Sequence, residues 1–257
     1  MTKKKDLPIA VFDSGVGGIS VLRELVKLMP GENYLYFGDS ANAPYGSRTT
    51  EEVRQLSLAA AKKLTTEYPV KALVVACNTA TAAAIKALRL RYPELMIIGI
   101  EPAVKLACDT FPGGTIGVMA TPVTLNEGKL RRLLSRCDDH CQIVKLPAVG
   151  LVELVEAGKA NSPESEALLG DLLGPWAGKL DALVLGCTHY PFAAKTITNI
   201  LGPDTVLLDG GVGTAIHTRH RLEEAGLLHE GQGEVIFENS ANDPAITALC
   251  RQLLEQV

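Results

Sequence analysis

One phrase occurs twice. Ala72-Leu-Val-Val-Ala-Cys77-Asn-Thr returns as Ala182-Leu-Val-Leu-Gly-Cys187-Thr-His, 110 residues later (187 − 77). Each copy is an apolar run of strand length, a small residue, a cysteine, and polar residues that open a helical pattern. The copies sit in a longer alternation. Strand-like runs are expected at 9–12, 34–38, 72–76, 96–100, 115–119, 142–145, 182–185 and 205–208. Amphipathic stretches separate them at 19–29, 50–68, 79–92, 125–137, 164–173 and 192–201. Strands alternating with helices imply βαβ crossovers and a mainly parallel sheet covered on both faces.

The repeat reaches beyond the cysteines. Ile9-Ala-Val-Phe aligns with Ile116-Gly-Val-Met at a shift of 107 (116 − 9), and Met96-Ile-Ile-Gly-Ile-Glu aligns with Asp204-Thr-Val-Leu-Leu-Asp at 108 (204 − 96). Two similar flavodoxin-like α/β domains follow, each with a parallel sheet of about four strands and related by a pseudo-two-fold. The tail holds a helix over 214–225, a strand over 234–238 and a helix over 245–256. It is expected to return to the first half. Residues 1–100 with 211–257 then form one domain, carrying Asp13 and Cys77. Residues 101–210 form the other, with Glu153, Cys187 and His189. Ligands in such sheets bind beyond the carboxyl ends of the strands, so the expected active site lies at the interface of the two domains.

Composition narrows the class. The chain is 47% hydrophobic and 21% charged with a net charge of −4, and its acids and bases are interleaved. No basic footprint for nucleic acid is present. No apolar run approaches the ~18 residues that cross a bilayer. Met1-Thr-Lys-Lys-Lys-Asp leads straight into a strand-like run without a signal-peptide core, so a cytoplasmic setting is expected, with its six cysteines reduced.

A thiol at a strand end and a helix N-terminus is placed for chemistry, because the helix dipole and free amides favour the thiolate. Buried, inert cysteine is the alternative for Cys77 and Cys187, and the repetition argues against it. Asp13-Ser-Gly-Val-Gly-Gly18 closes the first strand with glycines that expose backbone N–H groups at a helix start. It lacks the spacing of a dinucleotide or P-loop motif. Asp13 can receive an ammonium group or a proton there, or cap the helix. The loop Gly38-Asp39-Ser-Ala-Asn-Ala-Pro44-Tyr45-Gly46-Ser-Arg48 ends the second strand and suits ligand binding, or a turn with Ser47 or Thr49 capping the next helix. His189 beside Cys187 can raise its thiolate fraction or relay a proton, and Glu153 opens a helix nearby in sequence. Cys137-Asp-Asp-His-Cys141 lacks a second ligand pair and reads as surface rather than as a metal site. Cys108, Cys250, His140, His217, His220 and His229 have no supporting context.

The four motifs Asp13-Ser-Gly-Val-Gly-Gly, Pro44-Tyr-Gly, Ala76-Cys-Asn-Thr-Ala and Gly186-Cys-Thr-His-Tyr-Pro, in this order and spacing, resemble the cofactor-independent aspartate/glutamate racemases. The glutamate branch fits best, because relatives acting on aspartate usually carry Glu where this chain has His189. The resemblance implies an amino-acid racemase that uses two thiols and neither pyridoxal phosphate nor metal. Cys187 would deprotonate L-glutamate and Cys77 the D-enantiomer, with Asp13, His189, Asp39 and Glu153 tuning or relaying protons. Ser14, Asn78, Thr79, Thr121 and Thr188 would bind the α-carboxylate and ammonium, and Pro44, Tyr45 and Gly46 the side-chain carboxylate. It further implies a homodimer that supplies D-glutamate to peptidoglycan, with no nucleic-acid or membrane partner. Racemases or decarboxylases of aspartate, hydantoins or aryl malonates stay open, as does a two-domain small-ligand binding protein.

Overall fold

The structure is a computed structural model and describes residues 3–101, 103–126 and 140–255. The strands are β1 (Ile9–Asp13), β2 (Tyr34–Gly38), β3 (Ala72–Val75), β4 (Met96–Gly99), β5 (Thr115–Ala120), β6 (Gln142–Pro147), β7 (Ala182–Leu185), β8 (Val206–Asp209) and β9 (Val235–Asn239). The described α-helices are α1 (Ile19–Leu28), α2 (Thr50–Glu67), α3 (Asn78–Arg91), α4 (Val104–Thr110), α5 (Pro122–Asn126), α6 (Leu151–Glu156), α7 (Pro163–Leu173), α8 (Ala194–Leu201), α9 (Gly211–Glu224) and α10 (Pro244–Glu255). The fold is α/β, with two all-parallel sheets. The helix expected over 125–137 falls largely outside the described residues; only Leu125 and Asn126 are described, at the end of α5.

The chain divides into two compact units, Met1–Glu101 with Gly211–Val257, and Pro102–Gly210. The first unit's sheet runs β4-β3-β1-β2-β9, and the second's runs β6-β5-β7-β8. Read from the other edge, the second is β8-β7-β5-β6, the order of β4-β3-β1-β2. The registers agree as well. Ile9 pairs with Ala72 as Ile116 pairs with Ala182. Ala72 pairs with Met96 as Ala182 pairs with Val206. The equivalent of Met96 is therefore Val206, a shift of 110 (206 − 96), and the sequence alignment to Asp204 is two residues out. A two-residue slip keeps every side chain on its face, so apolar patterning alone does not expose it.

Both faces of the first sheet are buried, which is why β1 and β3 are continuous apolar runs. Ala10, Phe12, Leu35, Phe37, Leu73 and Val75 alternate onto one face, against Val53, Ala60 and Leu64 of α2 and Ala80, Ala84 and Leu88 of α3. Thr49 begins α2 with a capping box, accepting from Glu52 N–H at 3.2 Å while its own N–H donates to Glu52 Oε2 at 2.8 Å. In the second unit Val104 and Ala107 of α4 pack on Ile116, Val118, Ala182 and Val184. The tail strand β9 pairs with β2 at the edge of the first sheet. Buried Lys71 fastens the tail further: Nζ donates to Lys5 O at 2.6 Å, to Leu227 O at 3.0 Å and to Glu32 Oε2. Glu32 Oε1 accepts the His229 N–H at 2.8 Å. Among the described residues no helix is long and apolar enough to cross a membrane.

Candidate active site

In a sheet of this order the ligand crevice opens where the connections turn in opposite directions, beside the first and third strands. Cys77 follows β3 there, next to the end of β1. Ala76 N–H donates to Phe12 O at 2.8 Å, so Cys77 begins where ladder pairing stops. Its Sγ accepts from Ala80 N–H at 3.4 Å and lies 3.6 Å from Ser14 Oγ. The thiol thus caps α3 and feels the positive end of its dipole. Fully buried Asp13 accepts from Gly15 N–H at 3.1 Å, and its carbonyl accepts Asp39 N–H at 2.9 Å. Asn78 and Thr79 are buried beside the thiol. Asn78 Oδ1 is buried without a hydrogen-bond partner.

Asp39 directly follows β2. Its carboxylate accepts from Tyr45 OH at 2.6 Å and from Asn42 Nδ2 at 3.0 and 3.1 Å. Tyr45 is buried, and burial, then the Asp39 hydrogen bond and the charges of Asp39, Cys77 and Asp13, hold its hydroxyl far above the ordinary phenol range. Tyr45, Asp39, Cys77 and Asp13 are therefore one electrostatic cluster. Pro44, after a cis peptide, and Gly46 flank Tyr45 and are half-buried.

The second unit repeats the backbone and changes the chemistry. Gly186 N–H donates to Met119 O at 2.7 Å, the counterpart of the Ala76–Phe12 bond. Buried Cys187 follows, with Sγ 3.7 Å from His189 Nδ1. His189 Nε2 is 2.6 Å from Glu156 Oε1. Burial alone would lower the His189 pKa; the hydrogen bonds and charges of Cys187 and Glu156 outweigh it and raise it well above the usual histidine value. Thr121, at the tip of β5, donates through Oγ1 to Thr124 Oγ1 at 2.9 Å, and Thr188 is buried next to the thiol. Tyr190 OH donates to Ala148 O at 3.1 Å, and its pKa is raised by burial and then by Cys187 and Glu153.

Of the residues singled out from the sequence, the first unit brings together Asp13, Ser14, Asp39, Tyr45, Cys77, Asn78 and Thr79. The second brings together Thr121, Cys187, Thr188 and His189. Glu153 takes a different place: it lies on the exposed side of α6, and Glu156 is the acid on His189. The signal was in the helical phase. Half-buried Glu156 follows buried Val152 by one turn, whereas Glu153 is exposed. Asn42, the second donor to Asp39, carried no sequence signal. Cys137 lies outside the described residues, and among these no group of three or more His, Cys, Asp or Glu is arranged to hold a metal ion. Cys108, Cys141 and Cys250 are buried.

The model of the Asp/Glu/Hydantoin racemase family matches residues 9–215, more than half of the chain. The chain belongs to the Asp/Glu/Hydantoin racemase family. Within it, the chain is 46% identical over 255 residues to a glutamate racemase of Clostridium botulinum, covering 98% of both sequences. A crystal structure of Escherichia coli glutamate racemase with L-glutamate and an activator superposes with a TM-score of 0.86 at 31% identity, over 97% of this chain and 95% of that one. One from Francisella tularensis with D-glutamate gives 0.83 at 27% identity, over 98% and 95%. These members of the racemase family share the two-sheet architecture described above.

Proposed function

We propose that this chain is a glutamate racemase that interconverts L- and D-glutamate with two thiols and no cofactor. The observation that carries the reading is the pair of cysteines at equivalent strand ends, each with a different set of polar partners. A racemase needs a base on one face of the α-carbon and an acid on the other, and the two thiols exchange these roles with direction. In the L-to-D direction Cys187, as thiolate, takes the α-proton and the Cys77 thiol delivers one to the opposite face. The reverse direction uses Cys77 as base. Thiols titrate near ~8.5 when unperturbed, so helix dipoles and an imidazolium suffice to keep one thiolate at neutral pH.

His189 stabilises the Cys187 thiolate and hands its proton on, with Glu156 fixing the ring. At Cys77 the start of α3 and the Ser14 hydroxyl stabilise the thiolate, while Asp13 acts as the base that relays the thiol proton. The unpartnered Asn78 amide oxygen accepts from the substrate ammonium, while Thr79, Thr121, Thr188 and Ser14 hold the α-carboxylate. Pro44, Tyr45 and Gly46 receive the side-chain carboxylate, with Asp39 holding that loop through Tyr45. Glu153 shapes the field around Tyr190. The same reading makes the enzyme a cytoplasmic homodimer whose D-glutamate enters peptidoglycan. It is tested by chiral chromatography of L- and D-glutamate incubated with purified protein without added pyridoxal phosphate. Both enantiomers should reach a racemic mixture, with L- and D-aspartate turned over far more slowly. Preferential turnover of aspartate, or tight binding of glutamate with no turnover, would contradict it.

A further inference from the structure

We infer that Tyr36 is a positioning residue for the Cys77 half of the reaction, holding the loop from Asp13 to Gly18 where its polar groups meet the thiol. Tyr36 lies at the centre of β2, paired with Val11 of β1 on one side and Phe237 of β9 on the other. It is fully buried, and its hydroxyl donates to Gly15 O at 2.5 Å. The N–H of the same residue donates to Asp13 Oδ1 at 3.1 Å. Gly15 is therefore held at both its N–H and its carbonyl. The preceding residue places Ser14 Oγ 3.6 Å from Cys77 Sγ, so any movement of Gly15 moves both Asp13 and Ser14 relative to the thiol.

The loop packs closely against its surroundings at two glycines. A Cβ at Gly38 would stand 2.6 Å from Gly15 O. One at Gly18 would stand 2.6 Å from Asp13 Cβ and 3.1 Å from the Tyr36 hydroxyl. The Tyr36 ring is in turn backed by Phe237, 6.3 Å between centroids, and the Arg251 guanidinium lies 4.8 Å from the centre of that second ring. The strand β9 and helix α10 thus support the contact of Tyr36 with Gly15. Phenylalanine would fill the same space and leave Gly15 O without this donor.

The inference rests on the two-thiol reading above, and isotope effects separate it from a general structural role. Because the equilibrium constant between enantiomers is one, kcat/KM must fall equally in both directions for any variant. What differs is which proton transfer becomes limiting. Tyr36→Phe should remain folded and lose about five- to tenfold in kcat/KM, the worth of one buried hydrogen bond. Its deuterium isotope effect on kcat/KM should rise with D-[2-2H]glutamate, where Cys77 breaks the bond, and fall with the L-isotopomer. Tyr36→4-aminophenylalanine, whose ring amine donates to the same carbonyl, should recover most of the rate. Isotope effects that change alike for both enantiomers, wild-type kinetics in Tyr36→Phe, or loss of its fold would each overturn the inference. A wild-type protein that racemises no glutamate would overturn the underlying reading, an outcome distinct from all three.

Discussion

Cys187 and His189 are in contact across one turn of chain, Sγ to Nδ1 at 3.7 Å, and the far nitrogen of the same ring meets Glu156 at 2.6 Å. No histidine plays that part among the contacts described at Cys77, where Ser14 Oγ and the α3 N-terminus stand instead. Two thiols on equivalent backbones thus have different polar groups described beside them.

Glu156→Gln should test the acid end of this chain. It removes one charge-assisted hydrogen bond, worth about 1.5 kcal/mol or roughly tenfold in kcat. The His189 pKa, followed by imidazole NMR, should fall towards the ordinary value. Glu153→Gln should leave it in place.

His189 also links stability to pH. Its folded pKa is raised well above the unfolded value by Cys187 and Glu156, against the pull of burial. A raised pKa means that the folded state holds the proton more tightly, so its contribution is fully present below the unfolded value of about 6.5 and is lost as pH rises through the folded one. Urea denaturation should therefore show the stability gap between wild type and His189→Gln narrowing as pH is raised above neutrality.

Lys71 and Glu32 form an ion pair with side-chain exposures of 0% and 1%, and Lys71 also binds the carbonyls of Lys5 and Leu227. Lys71→Met leaves the Glu32 carboxylate buried without its cation and should cost about 3–5 kcal/mol. The double variant Lys71→Met/Glu32→Gln should recover part of this in a denaturant titration.

Gly38 tolerates no side chain, because the atom that a Cβ would strike is the Gly15 carbonyl, 2.6 Å away. Gly38→Ala should displace the loop that carries Ser14 and cost about 1–3 kcal/mol of stability, with a larger loss of turnover than of glutamate binding.

Much of this was legible in the chain because burial on both faces forces unbroken apolar runs. Tyr34–Gly38 and Ala182–Leu185 are bounded in the structure as the patterning bounds them. Helix α4 was not, since its seven residues are too few for a periodic signal. At the site, Cys77, Asp13 and Cys187 stand out because strand ends and helix starts are marked in sequence. Glu156 needed the helical phase of α6 relative to a histidine 33 residues away (189 − 156). Tyr36 and Lys71 were hidden for a further reason: one reads as an ordinary strand aromatic, the other as an ordinary surface charge, and only long-range contacts give them partners.

In the proposed two-thiol reaction both thiols carry the proton, one on each side of the α-carbon. The most direct measurement is racemisation in D2O, read by mass spectrometry and chiral separation at early times, for the wild type, Cys77→Ser and Cys187→Ser. Wild-type product should carry one α-deuterium while recovered substrate stays largely unlabelled, and either substitution should abolish racemisation. Wild-type turnover by either variant, or product that keeps the substrate's own hydrogen, would contradict it.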